Sequence, residues 1–279
     1  MAMVTVTGGT GVLGREVVPR LQADGHEAAV LTRRPAAPLP DGVRRLIGDL
    51  ADGRGLEMTV QGADVIVHLA SRPSRPARVD VAGTMALVDA IRRDGGRPHL
   101  VYVSIVGVDR VPRPYYKRKR QAESLGDRLG ASVHDPAPTQ FHDLVLMGLA
   151  CAAYAPVMVV PAKTSCQPVD AADVADRLAQ IVWSGPADGY GADLGGPQVL
   201  DAAELARQVL AAMEVRRPVR RIRLPGRVAA GFRAGHHLAA DTPRGQRTSA
   251  SYLAARLAAG GGEVIGLPYI NKQVRIRHR

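Results

Sequence analysis

Aromatic side chains are scarce in this chain. Phe, Tyr and Trp make up 4% of its 279 residues, with two Phe and one Trp. A core of this size must therefore be built from Val, Leu, Ile and Ala. Cysteine is nearly absent as well. Cys151 and Cys166 have no ligand-like spacing, which excludes a disulfide framework and a Cys-based zinc site and fits a reducing cytoplasm. Lysine occurs at only four positions (117, 119, 163 and 272), although the net charge is +11 and the pI near 10.3. A basic balance invites nucleic acid as a partner. Here the arginines are spread along the whole chain beside abundant Ala and Gly, as GC-rich coding produces, so nucleic acid is not expected as the main partner. No signal-peptide pattern opens the chain, because "MAMVTVTGG" runs straight into a strand. One uncharged stretch, Leu144 to Ala162, approaches the ~20 residues of a membrane span. Gly148, Pro156 and Pro161 divide it, and Val157–Val160 reads as a buried strand. A core helix followed by a core strand is expected, with no membrane and a cytoplasmic location.

What is present is ordinary globular composition, 46% apolar and 23% charged, in one large domain or two small ones. The first half alternates short apolar runs with helical periodicity, the pattern of βαβ units on a parallel sheet. Strands are expected at Val4–Thr7, Ala28–Thr32, Val43–Ile47, 63–70 and 99–107. Helices are expected at Gly11–Ala23, about 79–93 (with Val81, Met85, Val88 and Ile91 on one face) and 115–129. Further on, helices are expected over 170–183 and 201–213. Asp170 and Asp201 are their caps, and Glu204 stands in the capping-box position. A short strand over 218–225, a loop over 235–247 and a last helix over 248–259 complete the pattern. The tail after Gly260 shows no periodicity.

The first strand ends in "VTGGTGVLG" (6–14). A glycine-rich turn lets backbone approach a pyrophosphate, and the helix it opens directs free N–H groups and a positive dipole end at the phosphates. Glycine motifs alone are weak, but this one lies between a strand and a helix at the start of a βαβ run. The second strand runs into "LTRRP" (31–35). Arg33 and Arg34 stand where an NAD protein usually carries an acid for the ribose 2′-hydroxyl, so NADPH is expected in preference to NADH.

These segments together resemble the short-chain dehydrogenase/reductase superfamily, specifically its atypical NmrA-like branch. "TGGTGVLG" (7–14), "RRP" (33–35), "GDL" (48–50), "IVHLAS" (66–71), "VYVSIVGVDRVPRPYYKRK" (101–119), "TQFHD" (139–143), "QPVDAADVA" (167–175) and "DLGGPQVL" (193–200) carry the resemblance in one order along the chain. It implies an α/β fold, a Rossmann-type doubly wound parallel sheet with a smaller C-terminal substrate-binding portion. Residues 1–150 would form the cofactor core, and 151–279 mainly the substrate portion, interleaved in one structural unit. It implies that Gly8, Thr10, Gly11, Val12, Leu13 and Gly14 cradle the phosphates and that Arg33 and Arg34 take the 2′-phosphate. Asp49 and Leu50 would border the adenine. Leu69, Ala70 and Ser71 would border the adenosine ribose and diphosphate, and Thr139 and Gln140 would lie near the nicotinamide. A monomer or homodimer is common in such proteins.

Ser104 is expected at the end of the fifth strand, and Tyr115 with Lys119 spells Y-x-x-x-K on the following helix. Residues i and i+4 share a helix face, so phenol and ammonium point into one space. A nearby cation lowers the phenol's pKa and makes it a better proton donor, with Ser104 holding the carbonyl and Lys119 also binding the nicotinamide ribose. Tyr116, three residues before Lys119, is the alternative acid. His142 is expected to be a solvated or core histidine, with a substrate contact as the alternative; His236, His237 and Asp241 hint only weakly at a metal. The function implied is NADPH-dependent reduction of a carbonyl, imine, quinone or activated alkene of a small molecule. The alternatives are a non-catalytic NAD(P) sensor of NmrA type and an epimerase or isomerase that retains its cofactor.

Overall fold

The computed structural model describes residues 1–73, 76–126, 133–134, 136–185, 192–239 and 244–260. The expected end of the 115–129 helix, Asp241 and the tail after Gly260 lie outside the described residues. In chain order the elements begin β1 (Met3–Thr7), α1 (Val12–Ala23), β2 (Glu27–Thr32), β3 (Arg44–Ile47), α2 (Leu56–Val60) and β4 (Val65–His68). A π-helical turn (Ala77–Gly83) then leads directly into α3 (Thr84–Asp94), followed by β5 (His99–Tyr102), α4 (Pro114–Gly126) and β6 (Val133–His134). The second half holds α5 (His142–Ala152), β7 (Met158–Pro161), β8 (Ser165–Cys166), α6 (Ala171–Ser184) and β9 (Leu200–Asp201). It closes with α7 (Ala202–Ala212), β10 (Val219–Ile222), α8 (Arg227–Arg233) and α9 (Ser249–Gly260).

Six strands form one parallel sheet in the order β3-β2-β1-β4-β5-β6. Successive side chains of a strand point to opposite faces, and the two faces bury different clusters. Val4, Val6, Val30, Val65 and Val67 pack with Val17, Val18 and Leu21 of α1 and with Val174, Leu178 and Ile181 of α6. On the other face Ala29, Leu31, Ile66 and Leu100 pack with Leu56 and Val60 of α2 and with Leu87 and Ile91 of α3. Helices on both faces of a parallel sheet are the doubly wound architecture. The buried members of both clusters are aliphatic, as the shortage of aromatics requires.

The second half adds two small sheets, β7 with β10 and β8 with β9. The uncharged stretch resolves into a helix and a strand, α5 and β7, but the strand expected to be buried is half-buried, with Val157 and Val159 exposed; among the described residues no helix is long and apolar enough to cross a membrane. The two aspartate caps are in place. Asp170 Oδ1 accepts from the Ala172 N–H at 2.8 Å and Asp201 Oδ1 from the Ala203 N–H at 2.9 Å, each satisfying an otherwise unpaired donor.

Two expectations change. The fifth strand stops at Tyr102, so Ser104 lies in the segment beyond it, where its N–H donates to Pro136 O. The helix over 79–93 buries Val88 and Ile91 as expected, but Val81 is only partly buried and Met85 is not buried. Met85 is 47% exposed, and the buried row is Asp80, Thr84, Leu87 and Ile91.

Candidate functional site

The turn between β1 and α1 is packed so closely that its glycines are obligatory. Gly8 has φ of 74°, the left-handed region that favours glycine, and a Cβ there would lie 2.7 Å from Ala70 N. A Cβ on Gly14 would lie 2.4 Å from both Gly8 O and Gly9 Cα. The turn is closed by the Gly11 N–H donating to Gly8 O at 2.9 Å. Gly11 is the N-cap of α1 and has no side chain to occupy the free N–H groups of the first turn, while Val12 beside it is half exposed. Leu13 is buried and belongs to the core, and Arg15 Nε donates to Thr10 O at 3.2 Å. The loop Leu69–Ala70–Ser71 after β4 presses on this turn. Because the chain moves from β1 outward to β3 before returning to β4, this is the switch point where open α/β sheets place ligands. Backbone donors, close approach and an open mouth together fit a dinucleotide pyrophosphate.

Arg33 and Arg34 follow the end of β2 and are both exposed. Arg33 Nη1 lies 3.8 Å from Asp49 Oδ2, and Asp49 is itself fixed by the Ala51 N–H at 2.9 Å. An exposed pair of this kind adds little stability, so the guanidinium is available to a second anion at small cost. Leu50 is buried against the α2–α3 layer and acts as core.

The groups expected to act together are divided between two networks. Lys119 Nζ donates to Val103 O at 2.6 Å and sits 4.3 Å from the centre of the Tyr102 ring, in a buried position. Ser104 Oγ donates to the buried carboxylate of Glu123, whose other oxygen accepts from Arg120 Nη1 at 2.8 Å. Tyr115 is elsewhere, with its hydroxyl 2.7 Å from Ser71 Oγ. Tyr116 packs edge-on against Tyr115 and Phe232 and is buried. Burial raises the Tyr115 phenol to about 12, with Asp80 adding to the rise and the Ser71 hydrogen bond opposing it. This corrects the expected lowering. The Lys119 ammonium is engaged with Val103 O, and the cation that does act on the phenol is Arg113.

Thr139 is buried, donating from Oγ1 to Gln167 O at 2.5 Å and accepting from the Gly196 N–H at 3.3 Å. Gln140 Nε2 donates to His237 O at 3.2 Å. His142 is a core histidine, hydrogen-bonded to Arg247 O at 3.1 Å and stacked on Tyr252. His237 likewise bonds to Ser165 O, and no group of three metal-ligating side chains exists among the described residues.

Two buried groups at the site escaped the sequence pattern. Asp80 holds Ser71, and its signal was an acid on the row that also carries Thr84, Leu87 and Ile91. His68, the end of β4, contacts Thr7 Oγ1 at 2.5 Å through Nδ1 and Thr84 Oγ1 at 2.9 Å through Nε2. Desolvation, with the Lys119 charge adding to it, pushes its ring down to about 3. An unfolded histidine takes up its proton near pH 6.5, so between those values the unfolded chain binds more protons than the folded one. The stabilisation is complete above the unfolded value and is lost as the pH falls. Between pH 7 and pH 4.5 this amounts to roughly 2 to 3 kcal/mol. Urea unfolding at the two pH values should show that loss in the wild type and a clearly smaller one in His68→Gln.

Comparison with known proteins agrees with this geometry. Residues 8–132 match a family model described as NAD(P)H-binding. An uncharacterised protein of Mycobacterium tuberculosis is 32% identical over 92 residues, which are 33% of this chain and 11% of that much longer protein. Ceramide reductase of Caulobacter vibrioides is 33% identical over 192 residues, 64% of this chain and 60% of the relative. A Streptomyces griseus reductase of (4-alkanoyl-5-oxo-2,5-dihydrofuran-3-yl)methyl phosphate is 27% identical over 214 residues, 74% of this chain and 72% of the relative. Among solved structures, the NADPH-dependent quinone oxidoreductase of Escherichia coli complexed with NADPH superposes with a TM-score of 0.76 at 18% identity. That superposition covers 91% of this chain and 99% of the other, a likeness of fold.

Proposed function

We propose that the chain is a member of the NAD(P)-binding short-chain dehydrogenase/reductase superfamily and an NADPH-dependent reductase. Its substrate is a small organic molecule with a carbonyl, imine, quinone or activated alkene, and its place in the superfamily is the atypical NmrA-like branch. One observation carries this: the glycine turn, which admits no Cβ at Gly8 or Gly14, opens at the switch point beside Ser71, which is hydrogen-bonded to the hydroxyl of Tyr115. Bound there, NADPH would supply the hydride. The α1 N-terminus and the N–H groups of residues 11 to 14 hold the pyrophosphate. Arg33 and Arg34 hold the 2′-phosphate, with Asp49 at the adenine and Leu69 to Ser71 along the adenosine ribose and diphosphate. Lys119 orients the nicotinamide ribose, and Thr139 and Gln140 border the nicotinamide. Tyr115 gives the substrate its proton. Residues 1–150 thus form the cofactor core, and 151–279 mainly build the substrate side of a cytoplasmic enzyme.

Named reductases among the relatives support the reductase assignment, and the NADPH complex of the quinone oxidoreductase supports the choice of cofactor. Loss of NADPH absorbance with a panel of quinones, aldehydes, imines and enones is the test. Tyr115→Phe should keep NADPH binding and lose roughly 100- to 10,000-fold in turnover, the usual contribution of a general acid. A variant with full turnover removes Tyr115 as the acid. Arg33→Ser with Arg34→Ser should weaken NADPH about 10-fold or more, the loss of charge-assisted hydrogen bonds to a phosphate, and leave NADH unchanged.

A second reading is favoured by the hydrogen bond of Ser104 to Glu123, which occupies the hydroxyl proton that would otherwise hold a carbonyl. A non-catalytic NAD(P) sensor of NmrA type needs the cradle but no such donor. Tight NADPH binding with no turnover across the panel selects it.

A further inference from the structure

The densest run of arginines in the chain has no part in the proposed reaction. Half of residues 216–227 are arginine, against about one in eight over the whole chain, and none is acidic. That density exceeds the even scatter that GC-rich coding leaves. Arg216, Arg217, Arg220, Arg223 and Arg227 form no ion pair among the described residues, whereas Arg221 Nη2 lies 2.9 Å from Asp201 Oδ1. Arg227 stands in the first turn of α8, where the helix dipole disfavours a cation. At the start of β10 a groove of about 520 Å³ opens between Arg207, Arg216 and Arg217, beside Leu210 and Val215.

The strand in this run is β10, paired in parallel with β7. The register sets Val219 beside Met158 and Arg221 beside Val160 on the inner face, where Met158, Val160 and Val219 pack with Ala203 and Ala206 of α7. Arg220 beside Val159 and Ile222 beside Pro161 therefore stand on the outer face. Val159 and Ile222 are 45% and 44% exposed, and Val157 and Leu224, which flank the two strands, are exposed as well. Parallel sheets are almost always covered on both faces. This one shows an outer face of aliphatic side chains with an unpaired guanidinium between them.

The chemistry of that face selects its occupant. Arginines along an edge strand repel a second copy of the same strand, which excludes a dimer through β10. A peptide added to the free edge would pair with backbone groups and leave the outer face bare. A nucleic-acid backbone would engage the arginines but has no use for the aliphatic row, and residues 216–227 hold no aromatic side chain for stacking on bases. At a bilayer interface both kinds of side chain find partners: apolar groups enter the acyl boundary and guanidiniums meet anionic headgroups.

We propose that the outer face of β7 and β10, with its flanking arginines, docks the chain on an anionic lipid bilayer. The inference goes beyond the proposed reaction and does not depend on it. It does place the site. Arg233 Nη1 of α8 donates to Leu224 O at 2.7 Å, and Phe232 of the same helix packs edge-on against Tyr116. The tyrosine side of the candidate site thus lies one short helix from the docking face.

Co-sedimentation of the full chain with vesicles tests the docking without cofactor or substrate. Binding is expected to a phosphatidylcholine–phosphatidylserine mixture and not to phosphatidylcholine alone. Each arginine near an anionic surface improves partitioning about 5-fold. Reversing two charges in Arg220→Glu with Arg223→Glu should therefore weaken binding roughly 100-fold or more. Ile222→Ser with Leu224→Ser keeps every charge and should weaken it about 10-fold, because two half-exposed aliphatic groups no longer enter the bilayer. Arg93→Glu with Arg118→Glu changes the net charge equally on α3 and α4 and should bind as the wild type does. All these positions are exposed, so the fold should survive, which circular dichroism checks. No binding to the mixed vesicles overturns the proposal, and so does wild-type binding by either variant of the face. A loss in the α3–α4 variant equal to that of Arg220→Glu with Arg223→Glu overturns it as well, since net charge alone would then suffice. Binding of a short duplex DNA in place of the vesicles overturns it and assigns the arginines to nucleic acid.

Discussion

A Gly14→Ala variant is expected to lose NADPH binding roughly 100-fold or more while keeping its helical content. The added methyl carbon would lie 2.4 Å from Gly8 O and 2.4 Å from Gly9 Cα, and both are backbone atoms of the cradle itself. Side chains swing aside cheaply, but this turn can relieve the contact only by moving as a unit. Gly8 cannot move toward β4, because Ala70 N already fills the space beyond it. Overpacking of this kind costs about 1 to 3 kcal/mol or more, and 3 kcal/mol is somewhat more than 100-fold in an equilibrium constant. The damage is local to the end of α1, so circular dichroism should change little. Gly148→Ala is the control. It lies in α5 with nothing near its Cβ, and alanine there should stabilise the helix by up to ~1 kcal/mol and leave binding alone. Fluorescence titration of the two variants with NADPH separates a cradle that is read by the cofactor from one that merely reverses the chain.

Lys119→Met is the second change with a large expected effect. The ammonium is buried, held by Val103 O at 2.6 Å and over the Tyr102 ring at 4.3 Å. It is thus directed at the ends of β4 and β5, beside which we propose the nicotinamide ribose binds. Methionine keeps the length and apolar stem and removes the charge. A hydrogen bond to a charged group contributes about 1.5 to 3 kcal/mol, so NADPH affinity should fall by roughly 10- to 100-fold. Unchanged affinity would assign Lys119 to bracing the segment around Val103 alone. His68 offers a second readout, because part of its depressed pKa comes from the Lys119 charge. Its ring should titrate at a higher pH in the variant, which NMR of the histidine resonances would record.

The sheet and the cradle were legible because each depends on local chemistry. Val4, Val6, Val65 and Val67 announce strands by composition, and a glycine turn between β1 and α1 reads the same in sequence and in space. The caps Asp170 and Asp201 were equally plain, since a cap is a contact across two residues. The geometry of the candidate site was less legible because it depends on contacts between distant segments. Tyr115 and Lys119 share a helix face as their spacing requires, yet Ser71, 44 residues before Tyr115, takes the phenol, and Val103 O takes the ammonium. Ser104 was expected on a strand that stops short of it, and its partner Glu123 lies 19 residues further along the chain. Asp80 stands on the same row as Thr84, Leu87 and Ile91 at ordinary helical spacing, but an acid on an otherwise apolar row does not disclose that its partner is Ser71.

The central claim is that the glycine turn holds a phosphorylated nicotinamide dinucleotide, and thermal unfolding of the full chain with NADPH, NADH or neither tests it most directly. A ligand present at 100 times its dissociation constant stabilises the folded state by about 2.7 kcal/mol, or some 5 °C in the midpoint for a chain of this size. NADPH is predicted to raise the midpoint by that amount at concentrations where NADH raises it less. A midpoint unmoved by either dinucleotide would contradict the account.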